Sequence, residues 1–174
     1  MPNMVNLILR GTALLWTLLI TALIGNVIAS NIDAAGSAMA AVNFTMFVAV
    51  LSWIVCLYAI ASSLVSALAF PIVMLPLDAL AVLFTFVDAI VLAAKLRAVN
   101  CSNIAAWHFS SSWIAFGSAD DEKRCREIQA STVFMWFLWI SLTASLFFTF
   151  KESRGGRLTG SVRSSGPNMS QVSA

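Results

Sequence analysis

Charged side chains are scarce in this sequence. Only 10% of its 174 residues are Asp, Glu, Lys or Arg and 60% are hydrophobic, whereas a soluble domain typically has roughly 25% charged residues. No charge at all occurs between Phe44 and Leu77. This composition excludes an ordinary soluble domain and indicates an integral membrane protein.

The sequence also lacks the patterns of several functional classes. Its net charge of +2 is dispersed and forms no clustered basic face, so nucleic acid is excluded as a partner. The chain has no metal-ligand spacing, no phosphate-binding loop and no internal repeat. We therefore expect no catalytic site, no metal site and no cofactor, and we expect that the protein is not an enzyme.

Four apolar stretches are long enough to cross a bilayer. The longest run, residues 44–94, would form a helix of roughly 75 Å, against a hydrocarbon core of about 30 Å, so it must fold back on itself. Pro71 is the natural break, because proline suits the first turn of a helix and not its interior. Residues 1–150 are thus predicted to be an all-α bundle of four transmembrane helices, with spans at about residues 7–29, 44–68, 71–94 and 128–150.

The first apolar stretch has a second interpretation, as a secretory signal. Arg10 precedes it, and the small residues Ala34, Ala35 and Gly36 follow it. Its apolar core is longer than the roughly 7–15 residues of a signal sequence, and only one basic residue introduces it. These two features favour a membrane span.

Basic residues do not decide the orientation. If both termini are cytoplasmic, the ten Lys and Arg residues divide equally between the two sides. Cys101 and Cys125 both lie in the loop of residues 95–127, whereas Cys56 lies in the middle of a span. A disulfide between Cys101 and Cys125 would place this loop outside the cell and both termini in the cytoplasm; the alternative is two unpaired thiols.

The last 24 residues, 151–174, form a polar tail rich in Gly and Ser. Such a segment buries too little apolar surface to order itself, so we expect a disordered cytoplasmic tail. Its basic residues can attract the anionic lipids of the inner leaflet. These residues are Lys151, Arg154, Arg157 and Arg163.

The third span carries two carboxylates, Asp78 and Asp88. An ionisable residue inside a membrane is by default a hypothesis about function. Arg10 enters the first span from the same side as Asp78 and at a similar depth, which predicts an intramembrane ion pair of Arg10 and Asp78. Asp88 has no evident partner and remains unassigned; a proton relay is the alternative role for these acids.

Small residues recur every four positions in the second span, at Ala59, Ser63 and Ala67. Such rows let helices approach closely in lipid. We expect them to pack inside the bundle, and an interface between copies is the alternative. In the third loop, the aromatic segment around Trp113 is expected to lie on the outer membrane surface or to pack on the helix ends.

Several stretches resemble a known fungal family. They are NLILR at 6–10, AFPIVMLPLDALAVLFTF at 69–86, LRAVNCSN at 96–103, RCREIQAS at 124–131 and SQV near the end. Together they are similar to the MARVEL-domain tetraspan membrane proteins of the non-classical-export type, found in eisosome domains of the plasma membrane.

The resemblance implies a multi-pass plasma-membrane protein that organises furrow-like microdomains and has a link to protein export. It implies sphingolipids and sterols as lipid partners, eisosome scaffold proteins as protein partners, and a possible homo-oligomer. The rival hypothesis is a small proton-coupled transporter or channel that uses Asp78 and Asp88. A third is an accessory subunit that escorts cargo.

Overall fold

A computed structural model describes residues 4–34, 36–65, 71–97, 99–102 and 113–160, without the side chains of residues 71–72 and 152–160. It contains four helices: α1 (Met4–Ala29), α2 (Gly36–Leu64), α3 (Pro71–Leu96) and α4 (Asp121–Gly160). Each is long and apolar enough to cross a membrane. The predicted all-α fold with four membrane-spanning helices is confirmed.

Two helices begin earlier than the predicted spans. α2 starts at Gly36 and not near residue 44, because residues 36–43 are rich in alanine, the strongest helix former. α4 starts at Asp121 and not at residue 128. The Asp120 carboxylate caps it by accepting a hydrogen bond of 3.0 Å from the Lys123 backbone N–H.

The predicted disordered tail is partly helical. α4 continues to Gly160, so residues 151–160 extend the last transmembrane helix. Adding residues to a formed helix avoids the unfavourable nucleation step, which explains how polar residues can continue it. Residues 161–174 lie outside the described residues.

The helices form a ring in chain order. Within the described residues, α1 and α3 each pack on α2 and α4, so α1 and α3 face each other diagonally. We call the end where α1 and α3 finish the disulfide end, and the opposite end, where α1 and α3 begin, the termini end. Apolar side chains on the outer faces of all four helices are exposed, as expected for a surface in lipid.

Polar contacts join α1 to α4 near both ends of the bundle. At the termini end, the Asn6 side chain donates to Thr149 Oγ1 (3.3 Å) and accepts from Ser145 Oγ (3.0 Å). At the disulfide end, Asn26 Nδ2 donates to Glu127 Oε1 (2.6 Å). Side-chain hydrogen bonds of this kind hold helices together where lipid provides no hydrophobic driving force.

Candidate functional site

The structure brings Arg10 and Asp78 together inside the bundle. The guanidinium Nη2 of Arg10, on α1, donates to Asp78 Oδ2, on α3. Their side chains are only 3% and 2% exposed. Because α1 and α3 are diagonal in the ring, this ion pair crosses the interior of the bundle.

Cys56 of α2 adds a third group at this level. Its thiol is buried and close enough to interact with both Arg10 and Asp78. Among the described residues, Arg10 Nε and Nη1 and Asp78 Oδ1 have no hydrogen-bond partner. The two charges are therefore held by one direct contact and by their mutual attraction in a medium of low dielectric constant.

Asp88 lies closer to the disulfide end than Asp78 does. It is separated from Asp78 by about 15 Å along α3, at 1.5 Å per residue, and its exposure is 0%. Asp88 Oδ1 is 2.9 Å from Thr45 Oγ1 of α2. Sequence reasoning left Asp88 without a partner because a threonine in an apolar run carries no signal that distinguishes it from its neighbours.

Buried hydroxyl groups lie at depths between those of Asp78 and Asp88. Thr17 of α1, Ser52 of α2 and Thr85 of α3 are all 0% exposed. Each donates to a backbone carbonyl of its own helix, at 2.7–2.8 Å. These hydroxyls are therefore satisfied locally and are not needed as partners of either aspartate.

A disulfide fastens the opposite end of the bundle. Cys101 and Cys125 are joined, with Cα atoms 5.7 Å apart. Cys125 lies in the first turns of α4, and Cys101 follows the end of α3. The bond therefore links the chain leaving α3 to the start of α4.

Arg124 is a buried cation that sequence reasoning counted only as a loop charge. Its side chain binds Ile114 O (3.3 Å), Val27 O (3.4 Å) and Asn31 Oδ1 (3.2 Å), and the residue is 1% exposed. It thereby ties α4 to the end of α1 and to the third loop. A basic residue beside a cysteine in a mixed-charge loop gives no sign of burial, which is why the pattern missed it.

The loops at the disulfide end pack directly against each other. Gly117 has a φ of +97°, and a Cβ there would come within 2.8 Å of Ala34 Cα. The Gly117 carbonyl accepts hydrogen bonds from the Ile32 and Asp33 N–H groups (2.8 and 3.2 Å). Trp113 is buried, and its indole N–H donates to Leu96 O (3.2 Å), so this part of the aromatic segment packs on the helix ends.

A groove of about 500 Å³ lies beside this cross-linked region. Its lining combines apolar side chains of α1 and α4, Leu23 and Ala130, with acidic and basic side chains. The charged members are Asp120, Glu122, Lys123, Arg126 and Glu127. Apolar side chains and charges of both signs thus line one groove at the disulfide end of the domain.

The predicted small-residue row is only partly described. Ala59 is buried, Ser63 is half-buried, and Ala67 lies outside the described residues. Ser63 Oγ donates to its own helix at Ile60 O (2.7 Å), whereas Ser62 is 8% exposed. The buried face of α2 therefore runs through Ser62 and not Ser63, because this face drifts around the helix away from a strict four-residue repeat.

The basic residues predicted to contact lipid lie along and beyond the end of α4. Lys151 is exposed, and its Nζ is 5.5 Å from the centre of the Phe147 ring. Arg154 and Arg157 belong to the helix, but their side chains are not among the described ones. Arg163 lies outside the described residues.

The geometry supports a structural role for the buried charges. Among the described residues, no group of three or more His, Cys, Asp or Glu side chains could hold a metal ion. The ion pair, the Asp88–Thr45 contact and the Arg124 contacts each join different helices or loops. Their chemistry is that of holding a bundle together in lipid.

Comparison with known proteins gives one family over most of the chain. Residues 4–148 match the MARVEL family, described as a membrane-associating domain. The match covers α1, α2 and α3 completely and α4 as far as Phe148. No solved structure matches the chain.

Three curated fungal relatives are similar to about half of the chain. Non-classical export protein 2 of Saccharomyces cerevisiae is 37% identical over 81 residues, covering 47% of this chain and 44% of the relative. Its homolog 1 in the same organism is 35% identical over 97 residues, covering 55% and 53%. Non-classical export protein 102 of Candida albicans is 37% identical over 92 residues, covering 50% and 51%, so the chain spans about half the length of these relatives.

Proposed function

Because this chain belongs to the MARVEL family of membrane-associating domains, we propose that it is a non-enzymatic plasma-membrane protein that organises lipids and proteins into microdomains. It is a multi-pass membrane protein with four apolar helices and is similar to non-classical export proteins. The microdomains are of the eisosome type, and the protein takes part in protein export. Its chemistry is non-covalent.

This proposal rests on the difference between the charged residues buried inside the bundle and the apolar side chains on its surface. The charged residues of the spans are buried, whereas large apolar side chains project outward from every helix. Leu15, Ile54, Leu83 and Ile140, one from each helix, are 51–57% exposed. A protein whose whole circumference is available to lipid and to neighbouring proteins is suited to collecting them.

Features at the two ends of the domain support specific lipid partners. The groove at the disulfide end is lined by apolar side chains and by charges of both signs, which suits a headgroup with its acyl chain. We propose sphingolipids and sterols as the lipids that the microdomain gathers. The tail adds anionic lipids of the opposite leaflet, at about 1 kcal/mol per basic residue near the surface.

We further propose that both termini lie in the cytoplasm and that the disulfide end lies outside the cell. The Cys101–Cys125 bond supports this orientation, because disulfides persist in oxidising compartments. The tail is then available to eisosome scaffold proteins on the cytoplasmic side. The exposed helix faces are available to further copies of the chain.

Imaging of a tagged full-length protein in living fungal cells tests this proposal. We expect the protein to concentrate in stable plasma-membrane patches together with an eisosome scaffold marker. Inhibiting sphingolipid synthesis should redistribute it, while an unrelated four-span protein imaged in parallel stays unchanged. A uniform distribution that ignores sphingolipid depletion would contradict the proposal.

A flux measurement separates this function from the transporter alternative. Purified protein in liposomes should give no proton or solute flux above that of empty liposomes. Flux that disappears in both Asp78→Asn and Asp88→Asn would establish the transporter instead. Cargo that is retained in cells without the protein, while the patches persist, would favour the escort role.

A further inference from the structure

The bundle interior contains more acid than base. Within the spans, α1 contributes Arg10, and α3 contributes Asp78 and Asp88. α2 has no charged residue, and α4 has none between Ile128 and Phe150. Since Arg10 is engaged with Asp78, no basic residue within the spans is left for Asp88.

Among the described residues, the parts of α2 and α4 that lie beside Asp88 carry no cation, and the nearest cation on α3, Lys95, lies about 10 Å further along the helix. The titratable groups on α2 are the thiol of Cys56 and the phenol of Tyr58, both towards the termini end. On α4 the nearest is Glu127, another acid, beyond the outer end of the apolar segment. An ionised carboxylate with 0% exposure in such surroundings is strongly unfavourable, and a buried acid of this kind takes up a proton instead.

The contacts of Thr45 agree with a protonated Asp88. Its hydroxyl oxygen is 3.1 Å from Ala41 O and 2.9 Å from Asp88 Oδ1. A hydroxyl has one hydrogen and can donate to only one of these two oxygens. Both contacts are full hydrogen bonds at the same time when the hydrogen between Thr45 and Asp88 belongs to the acid.

We propose that Asp88 binds a proton and is a neutral carboxylic acid in the folded protein. Its Oδ1–H donates to Thr45 Oγ1, and the Thr45 hydroxyl donates to Ala41 O. Oδ2, which has no partner among the described residues, is then an uncharged carbonyl oxygen, which is far less costly to bury than half of a carboxylate. Two successive hydrogen bonds thus connect α3 to the backbone of α2.

This assignment gives Asp88 a role that does not depend on microdomain formation. The ion pair joins α1 to α3 through charge, whereas Asp88 joins α3 to α2 as a neutral donor. An asparagine at position 88 could replace the acid, because its amide N–H can donate to Thr45 in the same direction. The site is therefore specific for a donor and not for a negative charge.

Infrared difference spectroscopy of the full-length protein in lipid nanodiscs tests the proposal. The spectrum of the wild type minus that of Asp88→Asn, at neutral pH, should contain the carbonyl stretch of a protonated carboxylic acid, and this band should shift in D₂O. Thr45→Val should move the band, because the acid loses its acceptor. Thr17→Val, which removes a buried hydroxyl that bonds only its own helix, should leave it in place.

The proposal is overturned if the difference spectrum shows that Asp88→Asn has lost a carboxylate band and not a carboxylic-acid band. A carboxylate band that changes when sodium is replaced by a large organic cation would also overturn it and would assign a metal cation to the site. If Asp88→Asn does not fold, the carboxyl ¹³C resonances of labelled wild-type protein provide the same test. One aspartate with the chemical shift of a neutral acid, perturbed by Thr45→Val, supports the proposal, and the absence of such a resonance contradicts it.

Discussion

Arg10 and Asp78 illustrate how a membrane changes the energetics of a single ion pair. On a protein surface such a pair contributes about 0–1 kcal/mol. In the bundle both side chains are almost fully buried, so each depends on the other for its only direct charge compensation within the spans. The pair is best understood as a requirement of the fold: neither charge is stable there alone.

Removing one member of this pair should therefore destabilise the protein more than removing both. We expect Asp78→Asn to lower the free energy of unfolding by about 3–5 kcal/mol, reduced to the extent that Arg10 reaches the membrane surface. The double variant Arg10→Gln, Asp78→Asn should recover much of the loss. Thermal unfolding in detergent measures both effects.

Glu122→Gln is the matched control for this experiment. Glu122 also pairs with an arginine, Arg126, but the two side chains are 47% and 59% exposed. Its loss should change stability by about 0–1 kcal/mol. If the effects of the Arg10 and Asp78 substitutions simply add, the two residues are not energetic partners.

A second prediction concerns another single buried residue, Arg124. In Arg124→Met, Ile114 O loses the Arg124 donor, whereas Val27 O and Asn31 Oδ1 keep hydrogen bonds from the Ser30 hydroxyl and the Ala34 N–H. A buried acceptor left unsatisfied costs about 1–3 kcal/mol. Unfolding should therefore occur at a clearly lower temperature than in the wild type. Arg126→Met, which alters an exposed arginine two residues away, should behave as the wild type, and equal effects of the two would contradict the role of Arg124.

The elements differ in how far the sequence predicts them. The four helices follow from apolar length, because a segment in lipid must satisfy its own backbone hydrogen bonds. The interhelical contact of Arg10 and Asp78 follows from matching depth. The packing of residues 113–118 on residues 31–34 does not, because it depends on a backbone contact at Gly117 and on donors to single carbonyls, which leave no periodic pattern.

Gly117 is the position where this loop packing can be tested. We expect Gly117→Ala to destabilise the disulfide end, because φ is +97° and the added methyl would collide with Ala34. Hydrogen–deuterium exchange at the Ile32 and Asp33 amides, which donate to Gly117 O, should become faster. Gly11→Ala is the control: a Cβ there meets nothing within 4 Å, and alanine should stabilise α1 by about 0.5–1 kcal/mol.

The disulfide allows the orientation of the elements to be measured. We expect a membrane-impermeant maleimide to label Cys101 and Cys125 on intact cells only after mild reduction, while Cys56, buried among the helices, stays unlabelled. Replacing both cysteines by serine should lower stability by about 3 kcal/mol, because the loop of 24 residues is no longer closed in the unfolded chain. Labelling before reduction, or only in permeabilised cells, would contradict the proposed orientation.

At the scale of the whole molecule, the four-helix domain and the tail differ in the contacts that hold them. The domain is held by contacts among all four helices, whereas the basic residues of the tail lie along or beyond the last of them. The family match ends at residue 148, just before this segment. Composition alone predicts a polar tail, but it did not predict that α4 continues into it.

Deleting residues 152–174 should leave membrane insertion and thermal stability unchanged and should reduce the fraction of protein in patches. The reason is the loss of Arg154, Arg157 and Arg163, which the anionic leaflet attracts. Imaging and a membrane-extraction assay measure the two properties. A full-length variant with these three arginines replaced by glutamine distinguishes loss of charge from loss of length, and unchanged patches in both variants would exclude a role of the tail.

The diagonal position of α1 and α3 also constrains how the protein is made. Arg10 and Asp78 are 68 residues apart in sequence, so Arg10 leaves the ribosome and reaches the translocon well before its counter-ion has been synthesised. During that interval the first helix carries an unmatched cation, which favours keeping its end at the membrane surface. We therefore expect full insertion of α1 to wait for the arrival of α3, so that a nascent chain halted after α2 holds Arg10 as an unpaired cation at the membrane surface.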